Sequence, residues 1–388
     1  MTATAATRAH PPGNPLAERY RDEFPIFRHS IYLNSCSLGA LSKRARARVN
    51  EHLDLWEDRG ASAWYEIWWA ALAELRGRYG RIVGAGAGEI ALHPNISGAL
   101  TVVGEALDYG ARRKIVVSSL DFPTISYQWL AKTKRVEVEI VESPDGITVP
   151  LELWERAIDD RTALVATSHV FYTTGAIQDA RAIAELAHRK GALCLVDGYQ
   201  AAGQIPVDVR ALGVDFYCAG GLKWLLGGTG VAFLYAAPEH HALLPAATGW
   251  FAHREQFRFD TRSLEFHADA RRFEAGTPPM MPVYAQLGGL DVLEETTPEE
   301  RYRVTHALSE DLVALALERG LVPRVAPKAE ERTAIVNLPY DDPHAAVARL
   351  TAAGFITDAR PGRVRVSPYF YNTYDDHRAL VEFLTRDR

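Results

Sequence analysis

The sequence predicts an α/β protein, and three observations carry that prediction. Apolar runs that read as strands (residues 89–93, 114–118, 163–167, 192–196, 216–219 and 230–235) alternate with segments of helical pattern. One of these strands ends in an acidic residue, Asp197, at the carboxyl edge where open α/β sheets place their ligands. From about residue 298 the pattern becomes helix, strand, helix, strand, helix, which reads as a smaller α+β domain. With 388 residues, 47% of them hydrophobic, the chain is long enough to bury the cores of two domains.

In chain order, residues 1–15 have no apolar stretch and read as a flexible tail, so residues 1–30 are assigned as an N-terminal tail or arm, 31–295 as the large domain and 296–388 as the small one. A short strand at 30–33 enters the run Asn34-Ser35-Cys36-Ser37-Leu38-Gly39. Ser42 caps a helix to about residue 58, and a tryptophan-rich helix covers 64–83. Trp64, Tyr65, Trp68 and Trp69 recur at helical spacing, which suits packing or a dimer interface. The glycine-rich run at 84–88 follows a helix and precedes a strand, the wrong order for a dinucleotide site.

After His93 the chain turns through Asn95, Ile96 and Ser97 into a helix, leaving free N–H groups and a positive dipole end that suit an anion. The same residues also suit a plain N-cap. The strand at 114–118 runs into Asp121-Phe122-Pro123-Thr124, a strand at 135–142 and a helix to about 160 follow, and the strand at 163–167 ends at His169 before a helix over 179–190. Lys223 lies between Gly220–Gly221 and Gly227–Gly228, glycines expected to clear side chains from the approach of its amine, as a Schiff-base lysine requires. Asp197 needs a compensating cation if buried. Alone, Asp197 reads as a helix cap and Lys223 as a solvated loop residue; together they read as a reactive pair. Residues 245–269, aromatic and irregular, read as a cover for the site.

A net charge of −6 argues against a nucleic-acid partner, and no run of 18 apolar residues occurs to span a membrane. Cys36, Cys194 and Cys218 are too scattered for a metal site or a disulfide framework, so no metal is expected. The simplest reading is a cytoplasmic enzyme.

The order Asp197, Gln200, Lys223, with 223 − 197 = 26, resembles the pyridoxal 5′-phosphate enzymes of fold type I, and within them the class V aminotransferase group of kynureninases, cysteine desulfurases and isopenicillin N epimerase-like enzymes. The resemblance implies a three-layer α/β/α fold with a mostly parallel sheet, the 230–235 strand antiparallel, and a homodimer. It implies that Lys223 forms the Schiff base, Asp197 pairs with the pyridine nitrogen and Gln200 contacts the phenolic oxygen. Phe122 is expected to stack on the ring, with His169 near the phenolic oxygen and substrate. Asn95, Ile96 and Ser97 would hold the phosphate, helped by Thr277 reaching the partner's cofactor. Arg365 would grip the α-carboxylate of an amino-acid substrate, with Arg363 on the same strand face as competitor. Asn34 and Ser35 would border the pocket.

The run 357–363 lacks the nucleophilic cysteine that desulfurases resembling this chain carry there. Leu222, Phe171 and Ile125 stand where kynureninases that this chain resembles have polar residues: Leu222 implies the loss of a phosphate contact, and Phe171 and Ile125 a more apolar pocket. Together these point to β-elimination of the C–S lyase type, or a related side-chain cleavage, on an amino acid with a bulky side chain. Transamination is the alternative, then kynureninase-like hydrolysis, then a scaffold that binds cofactor without catalysis.

Overall fold

In the computed structural model, which describes residues 13–386, twelve strands are found: β1 (Ile31–Tyr32), β2 (Ile90–His93), β3 (Lys114–Ser118), β4 (Glu137–Val141), β5 (Thr162–Ser168), β6 (Leu193–Asp197), β7 (Phe216–Gly220), β8 (Ala232–Ala236), β9 (Val336–Pro339), β10 (Phe355–Ile356), β11 (Asp358–Arg360) and β12 (Arg363–Val366). Seven form the central sheet in the order β2-β8-β7-β6-β5-β3-β4, in which only β8 runs against the others. This is the mostly parallel sheet, with β8 antiparallel, that the sequence led us to expect.

Alternation along the strands builds the layers. Val116, Val165, Cys194, Val196, Tyr217 and Phe233 bury on one face, and Ile115, Val117, Leu164, Leu195, Phe216 and Cys218 on the other. A strand buried on both sides has no polar face, which is why these segments read as unbroken apolar runs. The glycine run behaves as a connector: Gly84, at φ +73°, ends the helix Trp69–Val83 in the left-handed conformation that favours glycine.

The C-terminal part has its own core, where Leu312, Leu350, Leu380 and Val381 pack on Leu338, Val364 and Val366. Its antiparallel sheet has the order β11-β12-β9, and β10 pairs in parallel with β1, so the first strand of the chain docks on this part. Residues 1–12 of the expected tail lie outside the described residues. From Asn14 onward the chain is an anchored arm: Asn14 caps the helix Pro15–Tyr20, and Leu16, Tyr20 and Phe24 bury in the main core.

One helix, Met280–Leu293, gave no sequence signal, because Pro282, Gly288 and Gly289 interrupt its pattern. It is buried against the helix Lys43–Arg59, and a Cβ on Gly288 would lie 2.5 Å from the Ala45 Cα. Gly288 is what lets the two helices touch, while Gly289 makes room for the Leu226 carbonyl, 2.5 Å from where its Cβ would lie.

Arg76 and Glu274 form a buried pair: Nε and Nη2 donate at 2.8 and 2.7 Å, and Glu274 also accepts the Leu92 N–H at 2.9 Å. Glu274→Ala leaves the guanidinium buried and unpaired, so a loss of about 3–5 kcal/mol is expected in denaturant unfolding. A loss under about 1 kcal/mol would show that the pair is dispensable to the fold. No helix of the described residues is long and apolar enough to cross a membrane.

Candidate active site

A cavity of about 370 Å3 opens at the carboxyl ends of the parallel strands. Residues after β2 (Asn95, Ile96, Ser97), after β3 (Phe122, Thr124), at the end of β5 (Ser168, Val170, Tyr172), at and after β6 (Asp197, Tyr199, Gln200) and after β7 (Leu222, Lys223) line it. Arg360 and Arg365 close it from the C-terminal sheet, and Cys36 and Ser37 from the entry run. The walls from the central sheet are strand ends, which is why residues so far apart in the chain converge.

Asp197 is 6% exposed, and one of its oxygens accepts the Tyr199 N–H at 2.8 Å. Burial pushes its pKa up, against the opposing pull of that N–H and of Lys223. The following Gly198 is sterically required, because a Cβ there would lie 2.0 Å from the Tyr217 hydroxyl.

The Lys223 amine lies 4.8 Å from the Tyr199 ring centroid and 5.9 Å from that of Phe122, and no hydrogen bond to it is found among the described residues. Burial lowers its pKa to about 8; Cys36 and Asp197 work against the shift, and Arg365 and Arg360 add to it. The loop around it is clamped. Gly39 N–H donates to the Leu222 carbonyl at 2.9 Å, and the Tyr369 hydroxyl donates to the Gly203 and Trp224 carbonyls at 2.5 and 3.1 Å. The flanking glycines serve a different purpose from the one expected: a Cβ on Gly221 or Gly227 would lie 2.1 Å from the Gln286 side-chain oxygen, so the cleared space holds Gln286. Gln286 in turn donates to the Leu225 carbonyl at 2.8 Å.

Asn95 caps the helix Ile96–Ala106, its side chain accepting the Gly98 N–H at 2.9 Å, so the first-turn N–H groups of Ile96 and Ser97 are left for an anion at the cavity. Phe122 is 45% exposed and meets Tyr172 edge to face at 5.0 Å. Asp121 just before it accepts from Ser118 N, Ser168 N and Thr167 Oγ1 at 2.8, 2.7 and 3.0 Å, tying β3 to β5 and fixing where Phe122 starts. Gln200 lines the cavity while donating to the Cys36 carbonyl (3.0 Å) and accepting from the Trp224 indole (2.8 Å).

Several expected residues do not line this cavity. His169 lies between Ser168 and Val170, which do, and strand alternation turns it to the other face. There its Nδ1 meets the Tyr217 hydroxyl at 3.1 Å, and burial lowers its pKa to about 4, which keeps the ring neutral. Asn34 bridges to Ser367, and the Ser35 hydroxyl bonds the Tyr371 hydroxyl at 2.8 Å; the next two residues, Cys36 and Ser37, face the cavity instead. Thr277 lies in a separate cavity with His93 and Gly276, where it accepts from the Trp250 indole at 3.2 Å. Phe171 and Ile125, expected to make the pocket apolar, are core residues, so Leu222 alone of the three lines it.

Arg365 is 2% exposed and largely engaged. Nη1 donates to the Tyr172 carbonyl at 2.7 Å, and Nη2 to Ser37 Oγ and Asp358 Oδ2 at 2.8 and 2.5 Å, while Nε is buried without an acceptor. The open fork expected for a carboxylate is therefore already shared with Asp358. Arg363 does not line the cavity. Cys36, Ser37, Tyr199 and Arg360 were not foreseen; the only sequence cue was their place beside motif residues.

These residues fit pyridoxal 5′-phosphate. Among the described residues, a buried carboxylate has no bonded cation, an amine without a hydrogen bond stands near it, an aromatic face is open and a helix N-terminus is free. Uptake of the cofactor needs the neutral amine, so its rate is expected to rise with pH to a plateau with a midpoint near 8. In Asp197→Asn the loss of a charge that raises the Lys223 pKa should move that midpoint down. Stopped-flow absorbance checks both, and a midpoint at the value of an ordinary lysine contradicts the placement.

The family model for aminotransferase class-V matches residues 69–377. An uncharacterized aminotransferase of Bacillus subtilis, YcbU, is 33% identical over 95% of this chain and 97% of its own. The kynureninase of Pseudomonas fluorescens is 30% identical over 94% of this chain and 90% of its own. Among solved structures, the apo cysteine desulfurase of Thermococcus onnurineus NA1 superposes with a TM-score of 0.85 at 22% identity, covering 99% of this chain and all of that one. The cystine C–S lyase C-DES, in complex with cysteine persulfide, gives 0.84 at 22% identity, covering 93% of this chain and 99% of that one.

Proposed function

Because the chain belongs to the class V aminotransferase family and is a pyridoxal 5′-phosphate-dependent enzyme, we propose that it cleaves the side chain of an L-amino acid by β-elimination of the C–S lyase type. The observation that carries an enzyme acting at Cα of an amino acid is the Lys223 amine, without a hydrogen bond among the described residues and with its pKa lowered to about 8, in one cavity with Asp197 and Arg365. The cofactor, when bound, supplies the electron sink for a carbanion at Cα.

The chain's own residues supply the rest. Arg365 and Ser37 would orient the α-carboxylate, Phe122 offers an aromatic face on which a cofactor ring would rest, and Asp197 would supply the negative charge that favours a protonated ring nitrogen. Lys223 Nζ takes the Cα proton. The bond from Cβ to the leaving group then breaks, and the departing group keeps the electron pair. The segment 357–363 supports elimination over persulfide formation. It is a tight β11–β12 hairpin turning at Pro361 and Gly362, with Gly362 at φ +72°, and it holds no cysteine. Transamination uses the same base and is the second reading.

Thr277, turned away from the cavity of its own chain, supports a homodimer in which it serves the partner's cofactor, and a cytoplasmic enzyme fits the composition. Incubation with a panel of amino acids and cysteine S-conjugates tests the reaction. Pyruvate with ammonia is expected. Accumulation of the pyridoxamine form, rescued by a keto acid, would replace elimination with transamination, and release of alanine would replace it with hydrolysis.

A further inference from the structure

The face of the β11–β12 hairpin that closes the cavity carries more positive charge than its own acid neutralises. In register, Asp358 stands opposite Arg365 and Arg360 opposite Arg363, and alternation puts Arg363 and Arg365 on one face. Asp358 accepts from Arg360 Nη1 at 2.6 Å, Arg365 Nη2 at 2.5 Å and Ser37 Oγ at 2.9 Å. Although burial works against it, the two guanidinium groups hold its pKa below the usual carboxylate range. Three cations share the hairpin face with one anion, a balance of 3 − 1 = +2, with Arg360 and Arg365 at the cavity and Arg363 outside its lining.

This arrangement is costly if it only holds the hairpin together. Like charges directly opposite across strands destabilise the pair. Arg363 Nε and Nη1 are buried with no acceptor among the described residues, and unpaired buried donors carry a desolvation cost. Arg365 Nε is unpaired as well. The α-carboxylate of an amino acid takes up one positive charge at Arg365. A second remains at Arg360, which lines the cavity with its side chain 30% exposed and Arg363 beside it.

We infer that the hairpin face is a second anion subsite and that the substrate carries an acidic group, a carboxylate, sulfinate or sulfonate, on its side chain, bound by Arg360 with Arg363 behind it. This rests on the amino-acid reading above and names the class of amino acid. A charge-assisted guanidinium contact in a partly closed site is strong enough to decide between otherwise equal ligands.

Calorimetric binding of succinate and of butyrate to the holoenzyme tests it, because the two acids have equal chain length and differ by one carboxylate. Succinate is expected to bind roughly tenfold or more tightly, and Arg360→Gln to bring that ratio toward one. Equal binding of the two acids, no binding of either, or a ratio that survives both Arg360→Gln and Arg363→Gln overturns the inference. So does sulfate binding as tightly as succinate, since the face would then be a site for free inorganic anions. The amino-acid reading fails separately, if no amino acid, acidic or neutral, perturbs the visible absorbance of the holoenzyme.

Discussion

Lys223→Ala is expected to abolish covalent capture of pyridoxal 5′-phosphate and to lower turnover by at least about 10^4-fold, since one substitution removes both the tethering amine and the base at Cα. The fold should survive. No hydrogen bond to the amine is found among the described residues, and the clamps on its loop come from main-chain atoms of Leu222 and Trp224 and from Gln286. The sign of the stability change follows from its titration. With a native pKa near 8, below that of the unfolded chain, the native state binds fewer protons, so apoprotein stability falls as pH drops through that window and stays reduced below it. Removing the lysine relieves this. At neutral pH the apo variant should therefore unfold no more easily than the parent, as thermal unfolding monitored by circular dichroism would show. A collapse in melting temperature would mean that the lysine is structural.

Asp197→Ala should lower turnover by roughly 10^2- to 10^3-fold, because the charge that holds a ring nitrogen protonated is lost from an enclosed site. Alanine also orphans the Tyr199 N–H, which Asp197 accepts at 2.8 Å. Asp197→Asn keeps an acceptor there and removes only the charge. If the asparagine variant loses activity as the alanine variant does while retaining parental stability, charge is the cause. If asparagine restores activity, the carboxylate acts only as a cap on the turn.

Much of this architecture was legible because its signals are local. The strands around Asp197 and Lys223 are apolar on both faces, and the motif residues fall at their ends. His169 was misplaced because one step along a strand reverses the face, so Ser168 and Val170 flank the cavity while His169 turns to Tyr217. Asn34 and Ser35 missed by two residues for a similar reason: the bridge from Asn34 to Ser367 sets the phase of the entry run, and Ser367 lies more than 300 positions away. Arg360 was hidden because β11 is three residues long and takes its register from β12. The helix Met280–Leu293 was hidden because residues that weaken a helix in isolation permit close packing here.

The site's assignment rests on one covalent position. Borohydride reduction of the holoenzyme, followed by proteolysis and mass spectrometry of the modified peptide, reads it directly. The phosphopyridoxyl group is expected on Lys223, in the segment Gly220-Gly221-Leu222-Lys223-Trp224. A label on any other lysine, or none on a protein that has taken up the cofactor, would contradict the placement of the active site.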